Sequence, residues 1–391
     1  MPDSVTSPPR RASAAPETSN KPYIGGQAVL EGVMMRAPHS FAIVVRRRDG
    51  SLFVRERAVV DERTGVRKLP FVRGIASLVE SLKLGSEALR FSAEQMEKDM
   101  EAEERAEKKA LKDKAAKGSA ALNVLTALGL VLFGLTTTAD GEASVAGPEA
   151  KKKGPMGFML LIAVVFLIAL PQVGAAGLNR VLHLGLQVQS PLFQVITGAF
   201  KLGIVIGYLL LIRRVSDIRR VFQYHGAEHK TISTYEAGED LLVANARAKT
   251  RLHPRCGTTF LVMVALVSIL VFTAVGSLLP QIKTGNALLD NVIFFLEKLP
   301  FLPLIAGFTF EIQRIFARYC TTGPLRALLW PGFLVQKITT IEPDDDQLEV
   351  ALASLKATLF RENGEAPETS DDIAFPSYEH IVHAERLRPA A

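Results

Sequence analysis

Thiols are scarce in this chain: Cys256 and Cys320 are the only two among 391 residues, and neither stands in a C-x-x-C pair. A disulfide framework is therefore not expected. Aromatic residues make up 7% of the sequence, with a single tryptophan, and no basic stripe interleaved with aromatics is present. A formal net charge of +6 then reads as loops facing an anionic membrane surface, and nucleic acid is not an expected partner. Residues 1–22 are rich in Pro, Ser, Ala and Arg and lack an apolar core, so they read as a disordered tail and not as a cleavable signal. Charge is also nearly missing from four long stretches, 156–178, 193–212, 258–279 and 299–317. Each is long enough to cross a hydrocarbon core.

Composition agrees with those runs. The chain is 48% hydrophobic with a mean hydropathy of +0.20, which marks a mainly α-helical integral membrane protein with about four transmembrane helices. A fifth run, 120–137, is shorter and diluted by Asn123, Gly129 and Gly134, and it reads as interfacial or re-entrant. Lys and Arg accumulate on the cytoplasmic side of span ends. Between the second and third runs lie Arg213, Arg214, Arg219, Arg220, Lys230, Arg247, Lys249, Arg251 and Arg255, whereas the alternate loops carry Arg180, Lys283 and Lys298. This asymmetry predicts a multi-pass protein of the inner, cytoplasmic membrane with loop 213–257 and both termini in the cytoplasm.

The remaining segments sort around that frame. Residues 23–69 form a small β module, since Phe41-Ala42-Ile43-Val44-Val45 and Ser51-Leu52-Phe53-Val54 flank an Asp49-Gly50 turn in the manner of a hairpin. Residues 70–118 read as a cytoplasmic helix, apolar-periodic first and Glu/Lys-rich later, and 119–155 as the marginal segment with its linker. The four-span membrane domain covers 156–318, a cytoplasmic helical region 319–361, and a disordered tail 362–391. Within the helical region, the aspartates Asp344, Asp345 and Asp346 read as a helix start, where acidic side chains cap free N–H groups.

The chemistry concentrates in Tyr224-His225-Gly226-Ala227-Glu228-His229-Lys230, which writes H-x-x-E-H inside the basic loop. On a helix, His225 and His229 project from one face and can share an ion, with Glu228 beside them. In this arrangement a divalent metal, most simply zinc, activates a water and a carboxylate takes its proton. Helical rise places Glu236 about 10 Å from His229, too far to share the ion while the helix continues. A third ligand must come from elsewhere. His253 is preferred, because Pro254 favours a loop conformation that returns it to the same face. Cys256 is a softer alternative and Glu311, an ionisable group within the last span with Arg314 one turn away, a weaker one. The competing reading is a polar cap of histidines that ties the loop to lipid headgroups.

Four strings carry a family resemblance: Gly25-Gly26-Gln27-Ala28-Val29-Leu30-Glu31-Gly32-Val33-Met34-Met35-Arg36, Arg219 through Lys230, Arg251-Leu252-His253-Pro254-Arg255-Cys256-Gly257-Thr258, and Glu342 through Gln347. Over residues 22–360 the chain resembles the YqhQ type of bacterial membrane proteins, an uncharacterised family often labelled as metal-dependent enzymes. The resemblance implies no substrate. Two classes of function remain open. One is a metal-dependent hydrolase at the cytoplasmic membrane face, acting on a membrane-protein or lipid substrate, with His225, His229 and His253 as ligands and Glu228 as general base. The other is a non-catalytic scaffold or regulator whose histidine loop is structural or metal-stabilised. A transporter is a weaker third reading, since no internal repeat is found. Oligomeric state is not legible.

Overall fold

The computed structural model describes residues 21–59, 69, 72–110, 170–280, 282, 284–320, 323–364 and 372–384. The marginal run 120–137, its linker, and residues 156–169 of the first apolar run lie outside these.

Strands β1 (Gly25–Val29), β2 (Gly32–Arg36), β3 (Ser40–Arg46) and β4 (Leu52–Ala58) form an antiparallel meander in chain order. The Asp49-Gly50 hairpin joins β3 to β4 as its sequence pattern predicts, with Arg46 opposite Leu52. A fifth strand, β5 (Ile373–Phe375), adds to β4 and is followed by helix α11 (Tyr378–His383), so part of the region read as a disordered tail is folded. The signal there is weak, because three residues of strand are too few for a period to show. A bidentate pair from Arg55 to Asp372 fastens the added strand.

Both faces of the sheet are covered. Ala28, Val33, Met35, Ala42, Val44, Leu52 and Val54 pack in one cluster with Val221 and Phe222 of α4 (Ser216–Glu236) and Leu348, Leu352 and Leu355 of α10 (Asp345–Glu362). Val29, Met34, Phe41, Ile43 and Val45 pack on the opposite face with Ala88 and Phe91 of α1 (Val72–Ala110). Two buried faces explain why β3 reads as a continuous apolar run where a one-faced strand would alternate. Asp344 caps α10 by accepting from the Gln347 backbone N–H at 3.0 Å, while the Gln347 side chain accepts from Asp344 N–H at 3.0 Å. The aspartate triplet is thus a capping box with its neighbours, as the sequence reading has it.

The apolar half of the protein is built from α2 (Leu170–Val181), α3 (Pro191–Ile212), α6 (Gly257–Val275), α7 (Ala287–Lys298), α8 (Leu302–Tyr319) and α9 (Trp330–Thr339), with α5 (Val243–Ala248) lying between α4 and α6 in sequence. Three stretches among the described residues, Pro191–Ile212, Gly257–Val275 and Val292–Phe316, are long and apolar enough to cross a membrane. The last begins earlier than the run 299–317 suggests, because α7 leads into α8 through the short 3-10 turn Leu299–Phe301. Large apolar side chains on these helices point outward, with Leu211, Leu270 and Leu304 at least 60% exposed. The sheet is joined to this half by α1, whose Arg73 makes a bidentate pair with Glu311 of α8.

Candidate metal centre

Helix α4 is the frame of the site. It runs unbroken through His225, Glu228, His229 and Glu236, so the two histidines stand one turn apart on one face, their ring centroids 4.4 Å from each other. The helix is buried along this stretch because it is clamped between β1 and the segment that enters α10. Gly226 lets that segment approach: a Cβ there would run into the Ile341 carbonyl, whose own N–H donates to Phe222 O at 2.9 Å.

Backbone carbonyls fix both rings. His225 Nδ1 lies 2.9 Å from Thr339 O and His229 Nδ1 lies 2.6 Å from Arg251 O. A carbonyl only accepts, so each Nδ1 carries a proton and donates it. In the neutral rings the lone pairs are then left on the two Nε2 atoms, the orientation by which metal-ligating histidines are held. His225 Nε2 faces Cys256 Sγ at 3.1 Å. His229 Nε2 is buried and, among the described residues, has no partner at hydrogen-bonding geometry. Ligand atoms of His225, His229 and Cys256 all lie within 4.8 Å of one another. An ion fits this set on two grounds: an orphaned buried nitrogen, and two imidazoles with one thiol as donors.

Electrostatics point the same way. Burial works against charge on His225 and Cys256, but their mutual attraction outweighs it and pushes the imidazole up and the thiol well down. Burial raises the Glu228 carboxyl to about 7, against the pull of His225 and His229 and a hydrogen bond from the Ala28 backbone. Glu228 is also pressed against β1, since a Cβ on Gly26 would lie 2.7 Å from Glu228 Cγ.

His253, the preferred third ligand by sequence, lies beside the cluster with its ring 5.7 Å from that of His229. Its nitrogens are engaged elsewhere: Nδ1 accepts from Arg255 N–H at 3.4 Å and Nε2 faces Glu236 Oε2 at 3.3 Å. Burial pulls it down to about 4, which keeps the ring neutral. The donor atoms that lie together are those of His225, His229 and Cys256. Glu311 makes a bidentate pair with Arg73 of α1. Glu236 stays outside the cluster, as helical rise requires, and pairs with Arg255.

Gln336 is a further residue of the site that no motif in the sequence marks. This fully buried side chain of α9 accepts from His253 N–H at 2.9 Å and donates to His253 O at 2.7 Å and Thr259 Oγ1 at 2.8 Å. It holds the loop that delivers Cys256. Its one signal is an amide following the apolar stretch Phe333-Leu334-Val335.

Comparison with known proteins supplies a family. The family described as "Protein of unknown function (DUF1385)" matches residues 69–361. A relative from Bacillus subtilis (strain 168), "Uncharacterized protein YqhQ", is 30% identical over 346 residues, covering 86% of this chain and 92% of the relative. No solved structure matches the chain. By the extent of both matches, and in agreement with the four strings noted above, the chain belongs to the DUF1385 family, the YqhQ type.

Proposed function

We propose that the protein is a metal-dependent hydrolase of the inner membrane, with a divalent ion, zinc by the softness of its donors, held by His225, His229 and Cys256. The observation that carries this reading is the pair of Nδ1–H donors spent on the Thr339 and Arg251 carbonyls, which aims two Nε2 atoms at a thiol. When bound, the ion supplies Lewis acidity toward a water. Glu228, near neutrality in its acidity, takes the proton of that water and returns it to the leaving group. The scissile bond is a peptide, ester or phosphoester of a membrane protein or lipid. The basic residues of loop 213–257 support a site at the cytoplasmic face, in a reading with residues 156–178 as a fourth crossing and both termini in the cytoplasm.

A second reading, a non-catalytic scaffold with a metal-stabilised loop, draws on the enclosure of the cluster: none of His225, Glu228, His229 and Cys256 is more than 6% exposed. Metal analysis of the purified full-length protein beside complementation of a deletion strain separates the two. The hydrolase reading expects about one zinc per chain, lost in His225→Ala and Cys256→Ala. It expects Glu228→Gln to keep the metal and fail to complement. Full complementation by Glu228→Gln would leave the scaffold reading, and a metal-free wild type would reject the centre itself.

A further inference from the structure

Helix α3 runs from Pro191 toward the His225 end of the molecule, and α6 runs back from Gly257 to Val275. Residues 194–201 of α3 and 268–272 of α6 therefore share the half of the bundle farther from Cys256. Here α2, α3, α6 and the junction of α7 with α8 frame a half-open cavity of about 140 Å3, lined among others by Gln172, Gln194, Lys201, Ser268, Phe272 and Lys298. A single water needs roughly 10–15 Å3 of such space, so the cavity has room for a polyatomic group.

Two lysines, Lys201 of α3 and Lys298 of α7, line this space. Lys201 lies about 15 Å along the α3 axis from Pro191, near the middle of a helix long enough to span a bilayer. Lys298 is only 7% exposed. It donates to Gln194 Oε1 at 2.7 Å and stands 4.3 Å from the Phe294 ring centroid and 5.2 Å from that of Phe272. Gln194 gives its own N–H to Val188 O, which fixes its oxygen toward the lysine. Among the described residues no carboxylate lines the cavity, and neither lysine forms a salt bridge. Residues 156–169, which lead into α2, contain no Asp or Glu. Glu297, next to Lys298 in sequence, is not part of the lining.

An ionisable group within an apolar span calls for a partner, and two cations on one cavity call for an anion between them. Each ammonium group is a point charge with three donors, which can take a phosphate oxygen from any side, as phosphate-binding lysines do. We propose that this cavity is a binding site for a phosphate group, supplied by the headgroup of an anionic phospholipid or by free phosphate. It is separate from the histidine cluster and does not depend on the metal.

The test uses the full chain, as wild type, as Lys201→Met with Lys298→Met, and as Lys298→Arg, which keeps the charge. Thermal stability is read in nanodiscs of phosphatidylglycerol or phosphatidylcholine, and in phosphatidylcholine nanodiscs with inorganic phosphate added against equal ionic strength of chloride. A higher melting temperature in phosphatidylglycerol that is lost in the double variant and kept in Lys298→Arg assigns the site to a lipid headgroup. A response to inorganic phosphate with the same dependence assigns it to free phosphate. Wild type melting alike under all conditions overturns the proposal, as does a phosphate or phosphatidylglycerol response that survives in the double variant. Should the double variant not fold, native mass spectrometry of the wild type decides, since release without any bound phosphate or phospholipid also overturns it.

Discussion

Glu228 is the residue whose environment departs furthest from what its neighbours in sequence announce. Its carboxyl is 5% exposed and is pushed up to about 7 from an ordinary 4.5, because burial disfavours the charge more than His225 and His229 favour it. In metal-free protein the unfolded chain gives up this proton first as pH rises from 4.5, while the folded chain still holds it. Stability therefore falls between about pH 4.5 and pH 7 and levels off above. The loss is on the order of 3 kcal/mol at most. Denaturant titrations of the chelated wild type and of Glu228→Gln across that window check this: the wild type should lose stability relative to the variant as pH rises. Parallel curves would mean that Glu228 ionises without penalty. The residue was legible as a candidate from the H-x-x-E-H spacing. Its acidity was not, since β1, some two hundred positions earlier in the chain, supplies both Gly26 and the Ala28 N–H around it.

At the scale of elements, α4 and the segment behind it decide the site together. A glycine inside a helix ordinarily costs about 1 kcal/mol against alanine, so Gly226→Ala would by propensity alone stabilise α4. The Ile341 carbonyl stands where the new methyl would go, and backbone cannot step aside as a flexible side chain can. Gly226→Ala is expected to lower stability by about 1–3 kcal/mol, the usual cost of overpacking. It should also weaken metal retention, because Thr339, two residues before Ile341, carries the carbonyl that orients His225. Thermal melts with parallel metal analysis report both effects, and a variant as stable and as metal-loaded as wild type would show the contact to be slack. The glycine was visible in the sequence only as a mild helix breaker, since nothing local reveals what lies opposite it.

For the whole molecule, chain direction places both ends of the long loop 213–256 on one side and the turn after α6 on the other. Cysteines introduced at Ala248 and Thr284, both exposed, are expected to label from opposite sides of the membrane in intact cells, with position 248 accessible only from the cytoplasm. The buried native thiols Cys256 and Cys320 should stay silent in folded protein. Labelling of both introduced positions from one side would reject the crossing by α6.

What the sequence determined by itself was whatever repeats within a few residues: the helical spacing of His225 and His229, the apolar runs, the Asp49-Gly50 hairpin and the Asp344 cap. These depend on local backbone geometry, and a period of 3.6 or 2 is written where it acts. Tertiary structure alone decided that Cys256 and not His253 completes the cluster. That choice rests on Gln336, 83 residues beyond His253, and on Glu236 and Arg255 engaging the histidine. It also decided that Arg73 holds Glu311 and that β5 closes the sheet from far along the chain, pairings between residues hundreds of positions apart. Such contacts are chosen by which buried polar groups find partners once the chain is packed, a condition on the whole fold that no stretch of sequence carries alone.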